Sequence, residues 1–139
     1  ILPITPETRQ VLHSMCATLA GLSGDPECAE QIIKCGLHKL VAEIALERGD
    51  DELLAEIASS LFKGLATHAS NCLDLSNDGS LTAVGQLAKI FDDNDLIVSN
   101  VQEAIKIITA KKGDREENVQ KLVELTLSSL ETTDDRDKV

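Results

Sequence analysis

Apolar positions along this chain superpose when the sequence is shifted by about 43 residues. Val11 falls on Leu54 and Ile97, Met15 on Ala58 and Val101, Leu19 on Phe62 and Ile105, and Leu22 on Leu65 and Ile108. Further along, Val41 meets Val84 and Leu127, and Ile44 meets Leu87 and Leu130. Gly21 matches Gly64 and Gly36 matches Gly79. The first four columns run i, i+4, i+8, i+11, the stripe of an amphipathic helix. This spacing predicts long helices over about 6–22, 51–67 and 94–111. Thr5 before Pro6 is an N-cap followed by Pro at the first helical position. Asp50 or Asp51 can cap the second long helix, and Asp93 or Asn94 the third. After each long helix comes a polar break and a shorter stretch, at about 26–34, 70–76 and 115–119. A second apolar helix closes each copy, at about 37–48, 80–91 and 120–131. Asp25-Pro26 opens the first short stretch, and Asp114 with Glu117 offers a capping-box-like start to the third.

Helices of this length with short connections bury their stripes against neighbouring copies, which is the physics of an α-solenoid. The expected fold class is all-α: a right-handed α-solenoid of about three repeats with a period near 43 residues. A single domain is expected, with copies over about 6–49, 50–92 and 93–131 and an acidic tail over 132–139. With no initiator Met, the chain reads as a piece of a longer protein.

Composition agrees with helices. Hydrophobic residues make up 42% and charged residues 27% of the 139, and Phe62 and Phe91 are the only aromatics. A core without Trp or Tyr is built from Leu, Ile, Val and Ala, and three prolines near the start permit long helices downstream. A net charge of −11 repels phosphates, which disfavours nucleic acid. It favours a partner with a basic surface. No apolar run reaches the roughly 18 residues of a membrane span. "ILPITP" is too short for a signal peptide and lacks a basic start. Cys16, Cys28, Cys35 and Cys72 form no C-x-x-C pair and match no zinc spacing, so free thiols in a reducing compartment are expected. These readings place the protein in the cytoplasm or nucleus and not outside the cell.

The stretches "LAGLSGDPECAEQIIKCGLHKLVAEIAL" and "FKGLATHASNCLDLSNDGSLTAVGQLAKIF" carry a resemblance to the armadillo repeat family. Each has a long helix ending in a small residue and Leu, a variable break, then Gly and an apolar helix. The resemblance covers about residues 6–131. Its motifs are degenerate, so it implies the architecture and no subfamily; HEAT-like helical pairs are the nearest alternative. In that family the long helices line a concave groove that binds extended peptides or partner domains. The resemblance therefore implies a groove lined by His13, Ala17, Glu56, Ser60, Lys63, Gly64, Ser99, Glu103 and Lys106, with Ala20 beside them. Importin-α-like members carry Trp and Asn four residues apart on these helices. The corresponding pairs here are Ala17/Gly21, Ser60/Gly64 and Glu103/Ile107, so that kind of peptide binding is not implied. Lys63 and Lys106 are the only candidates for a catenin-like basic groove. Small residues in the first two copies would either admit a partner's side chains or allow close helix packing.

Chemistry is sparse. "DLSNDGSLT", 74–82, has the alternating oxygens and glycine that open a calcium loop, yet its twelfth position is Gly85 where a bidentate acid is needed. Gly79 aligns with Gly36, so "SNDG" reads as turn chemistry. "DDNDL", 92–96, reads as a capped interhelix turn. His68 and Cys72 stand four apart across a break, a poor frame for a nucleophile and its base. His68 sits at a helix C-terminus, where the dipole favours a cation. No Gly-rich phosphate loop is present. No metal, cofactor or catalytic group is expected. The expected function is a non-catalytic scaffold that binds a protein or peptide. The alternative is a regulatory co-factor of an enzyme, such as a chaperone nucleotide exchange factor or a small-GTPase regulator.

Overall fold

A computed structural model describes residues 5–70, 72, 74–111, 113 and 124; of Ser76 only the backbone is described. The chain divides into two units, Ile1–Ile108 and Thr109–Val139. In the second unit, residues 109–111, 113 and 124 are helical. The expected helices at 115–119 and 120–131, the columns at Leu127 and Leu130, the Asp114/Glu117 start and the acidic tail lie outside the described residues.

Among the described residues of the first unit every regular element is a helix. In order these are α1 (Pro6–Leu22), α2 (Pro26–Cys35), α3 (Leu37–Glu47), α4 (Glu52–His68), α5 (Asp74–Asn77) and α6 (Ser80–Ile90), then α7, which begins at residue 95 and runs to the unit's end. The caps fall where polar side chains precede apolar stripes. Thr5, Asp25, Asp51 and Asn94 each accept a backbone N–H three residues on, at 3.0–3.1 Å. Each such cap contributes about 1 kcal/mol. Gly36 and Gly79 stand at φ 73° and 83°, where a side chain would be strained; Gly36 ends one helix and starts the next, and Gly79 starts the helix that follows it. The short helix of the second copy is a single turn, Asp74–Asn77, preceded by buried Ala69 and Cys72.

Like packs on like: α1 lies on α4 and α3 on α6. The helix at the centre, α4, also touches α2, α3 and α6. Leu54, Ala58, Phe62 and Leu65, the predicted stripe, are fully buried. Full burial of each large apolar side chain is worth about 1.5–3 kcal/mol. In α7 the same columns are filled by buried Ile97, Val101 and Ile108, with Ile105 38% exposed. In α1 the stripe does not close. Val11 is 56%, Met15 61% and Leu22 45% exposed, and Leu19 is half-buried. The periodicity identified the buried face of α4 and most of that of α7, but in α1 Cys16 and Ser23 are buried instead, because α4 packs on that side.

Candidate functional site

The polar contacts between copies repeat the period. His13 Nε2 lies 2.8 Å from the Asp51 carboxylate, whose other oxygen caps α4. Arg9 approaches the same carboxylate at 3.7 Å. Asn94 donates to Glu52 and Glu56 at 2.8 and 2.9 Å, and Asn100 donates to Ser59 and Ser60 at 3.2 Å. Ser70 donates to Glu30 at 2.5 Å. His38 Nε2 lies 2.8 Å from Asp78. The ring of His38 is buried and stands edge-on to Phe62, with centroids 6.0 Å apart. These bonds join residues about 40 positions apart, so each ties a helix to its counterpart or near neighbour one copy on.

The predicted groove residues divide into two kinds. Ala17, Lys63, Ser99, Glu103 and Lys106 are exposed. His13, Glu56, Ser60 and Gly64 are partly buried and serve as joints. His13 turns toward Asp51, Glu56 accepts from Asn94, and Ser60 accepts from Asn100. Gly64 lies against Ser23: a Cβ built there would stand 2.0 Å from its hydroxyl oxygen. Around Gly21, the matching glycine, nothing lies within 4 Å. Close packing therefore accounts for Gly64 and not for Gly21. Glu52, Glu56, Ser60, Lys63 and Thr67 follow one side of α4 at i, i+4, i+8, i+11, i+15. The asparagine bonds set Ser99, Glu103 and Lys106 on the helix beside them. Exposed Lys63 and Thr67 lie on that side of α4, and Ser99, Glu103 and Lys106 are exposed on α7.

Other chemistry is accounted for locally. Burial raises the Asp78 carboxyl's pKa, but hydrogen bonds from the Ser80 hydroxyl, His38 and the Ser80 N–H outweigh it and hold the group below the ordinary carboxylate value. The tie to His38 and the bonds to Ser80 occupy both Asp78 oxygens, so the residue works as a turn and interhelix clamp. A cleft of about 410 Å³ lies beside it, lined in part by Cys35, His38, Lys39 and Asp78. His38 Nδ1 is buried and meets no hydrogen-bond partner among the described residues. The four cysteines are free. Burial pushes the Cys16 thiol up, and the hydrogen bond with Asp25, then burial, pushes Cys28 up. Both thiols are therefore poor nucleophiles at neutral pH. Among the described residues no three His, Cys, Asp or Glu side chains gather as metal ligands. Among the described residues no helix is long and apolar enough to cross a membrane.

Asp51, Asp78, Asn94, Asn100 and Ser23 carry the joints, and residue-type reasoning gave them no role beyond caps and turns. The signal was present: each partner lies near one repeat period from its complement. Comparison of the chain with protein-family models, with curated proteins and with solved structures finds no match.

Proposed function

We propose that the protein is an armadillo-like, right-handed solenoid that acts as a non-catalytic scaffold. It binds a protein or peptide along the face shared by α4 and α7. The observation that carries this reading is the packing of α1 on α4 and α3 on α6 at the repeat period. That packing leaves Lys63, Ser99, Glu103 and Lys106 exposed on adjoining helices. Lys63 and Lys106 occupy one column of the repeat, so a partner's acidic groups would meet both, while exposed Glu103 pairs with its basic ones.

The test is charge reversal at Lys63 and Lys106 together. The double variant should melt as the wild type does, because exposed substitutions shift stability by only about 0.5 kcal/mol. Its affinity for a partner recovered from lysate should fall by about thirtyfold or more, as loss of a buried, hydrogen-bonded interfacial charge pair typically costs about 2–5 kcal/mol. Unchanged affinity, with reversal of the exposed Lys39 and Lys89 on α3 and α6 weakening binding instead, would place the binding face on the opposite helices. Capture that depends on a bound nucleotide in the partner would favour the regulatory reading.

A further inference from the structure

The open stripe of α1 has a covered counterpart in the same molecule. Val11, Met15, Leu19 and Leu22 match Leu54, Ala58, Phe62 and Leu65, all four of which are fully buried in α4. Each of the two helices has its own copy's following helices beside it. What α4 has in addition is the preceding copy, α1 to α3, packed on it. The extra burial on α4 therefore comes from a helical unit laid across that stripe. The point of contact is visible: His38, the second residue of α3, stands edge-on to Phe62 and bonds to Asp78.

The equivalent socket on α1 is an open cleft of about 360 Å³, lined by Leu19, Leu22, Ile32, Cys35 and Leu37, with Glu27, Cys28 and Gln31 at its rim. Leu19 stands where Phe62 does, Cys35 where Asp78 does, and Leu37 where Ser80 does. The groups that hold an imidazole in the second copy are thus replaced by apolar or weakly polar ones. Such a socket accepts a Leu, Met or Phe side chain and gives a histidine no carboxylate. Glu27 lines the cleft, and Glu7 and Asp25 are exposed at the starts of α1 and α2. The Cys28 backbone N–H and thiol hold the Asp25 carboxyl below its ordinary pKa, so it stays ionised. Of the cations, Arg9 leans toward Asp51, and Lys34 and Lys39 are exposed beside Cys35 and Leu37.

We propose that this stripe and cleft dock a basic amphipathic helix of a partner protein, which lies on α1 as the first copy lies on α4 and inserts a large apolar side chain between Leu19 and Leu37. A second copy of this chain is a poorer occupant, because each copy carries a net charge of −11. The docking face is separate from the α4–α7 face and stands whether or not that face binds.

Met15 is the only methionine in the chain and lies within the stripe, so a ¹³C-methyl label on methionine gives one reporter at the site. The probe is a synthetic helical peptide of Leu, Ala and Lys with its leucines on one face; the control has the same composition in scrambled order. The amphipathic peptide should shift the Met15 resonance saturably and the scrambled one should not. Leu22→Glu should weaken the titration about tenfold or more, and so should Val11→Glu, which stands in if the first variant does not fold. Reversal of Lys63 and Lys106 should leave it unchanged. No shift, equal shifts from both peptides, or full binding by both stripe variants would overturn the proposal. A Met15 shift that tracks protein concentration alone, with sedimentation as a dimer, would assign the face to a second copy and overturn it as well.

Discussion

Adding one methyl group at Gly64 tests the closest approach between the first two copies. An alanine Cβ there would stand 2.0 Å from Ser23 Oγ and 3.0 Å from Ser23 Cβ. Ser23 is buried and donates its hydroxyl to the Ala20 carbonyl at 2.6 Å. Rotating the hydroxyl away would lose that bond, at about 1 kcal/mol. The Cβ contact would remain, so the end of α1 would have to move by a few tenths of an ångström. Overpacking of this kind costs about 1–3 kcal/mol. Against it stands the better helix propensity of alanine over glycine, about 1 kcal/mol. The expected net effect of Gly64→Ala is a loss of about 1–3 kcal/mol. For a domain of this size that lowers the melting temperature by roughly 4–12 °C. Gly21→Ala is the matched control, because nothing lies within 4 Å of its added methyl. It should be neutral or stabilising by up to about 1 kcal/mol. Ser23→Gly removes both clashing atoms, so the double variant with Gly64→Ala should recover about 2–4 kcal/mol relative to additivity. Urea unfolding followed by far-UV circular dichroism gives all four corners of the cycle. If Gly64→Ala is as stable as the wild type, or Ser23→Gly shows no coupling to it, the close approach of α1 and α4 at this point is wrong.

Leu65→Ala and Leu22→Ala change the same column of the repeat, yet Leu65 is fully buried and Leu22 is 45% exposed; the first should lose about 2–5 kcal/mol and the second under about 1 kcal/mol, and equal losses in denaturant melts would contradict the register. Asp78 titrates below its ordinary value of 3.8 in the folded protein, so its contribution is complete above the unfolded value and is lost as pH falls through the lowered folded value. The stability gap between wild type and Asp78→Asn should therefore narrow as pH drops from about 5 toward 3, and a gap that stays constant across that window would show that the carboxylate contributes nothing through its charge.

Local sequence determined the helices because their signals are local. Thr5-Pro6, Asp25-Pro26, Asp51 and Asn94 satisfy the first backbone donors of helices whose stripes run at i, i+4, i+8, i+11. Gly36 and Gly79 mark the breaks because only glycine takes that backbone conformation without strain. The same local chemistry resolved "SNDG" into a clamp, with Asp78 and Ser80 bonded across Gly79. What the pattern could not determine was which stripes are covered. Val11 and Leu54 carry the same signal, but one is open and the other closed, because burial depends on a neighbour that contributes nothing to the helix's own periodicity. The groove residues divide for the same reason. His13, Glu56, Ser60 and Gly64 became joints once Asp51, Asn94, Asn100 and Ser23 were brought against them from about one period away. Among the described residues, Lys63, Ser99, Glu103 and Lys106 met no such partner and stayed exposed. A residue's type sets what it can bond to, and only the tertiary packing decides whether that bond is made within the molecule.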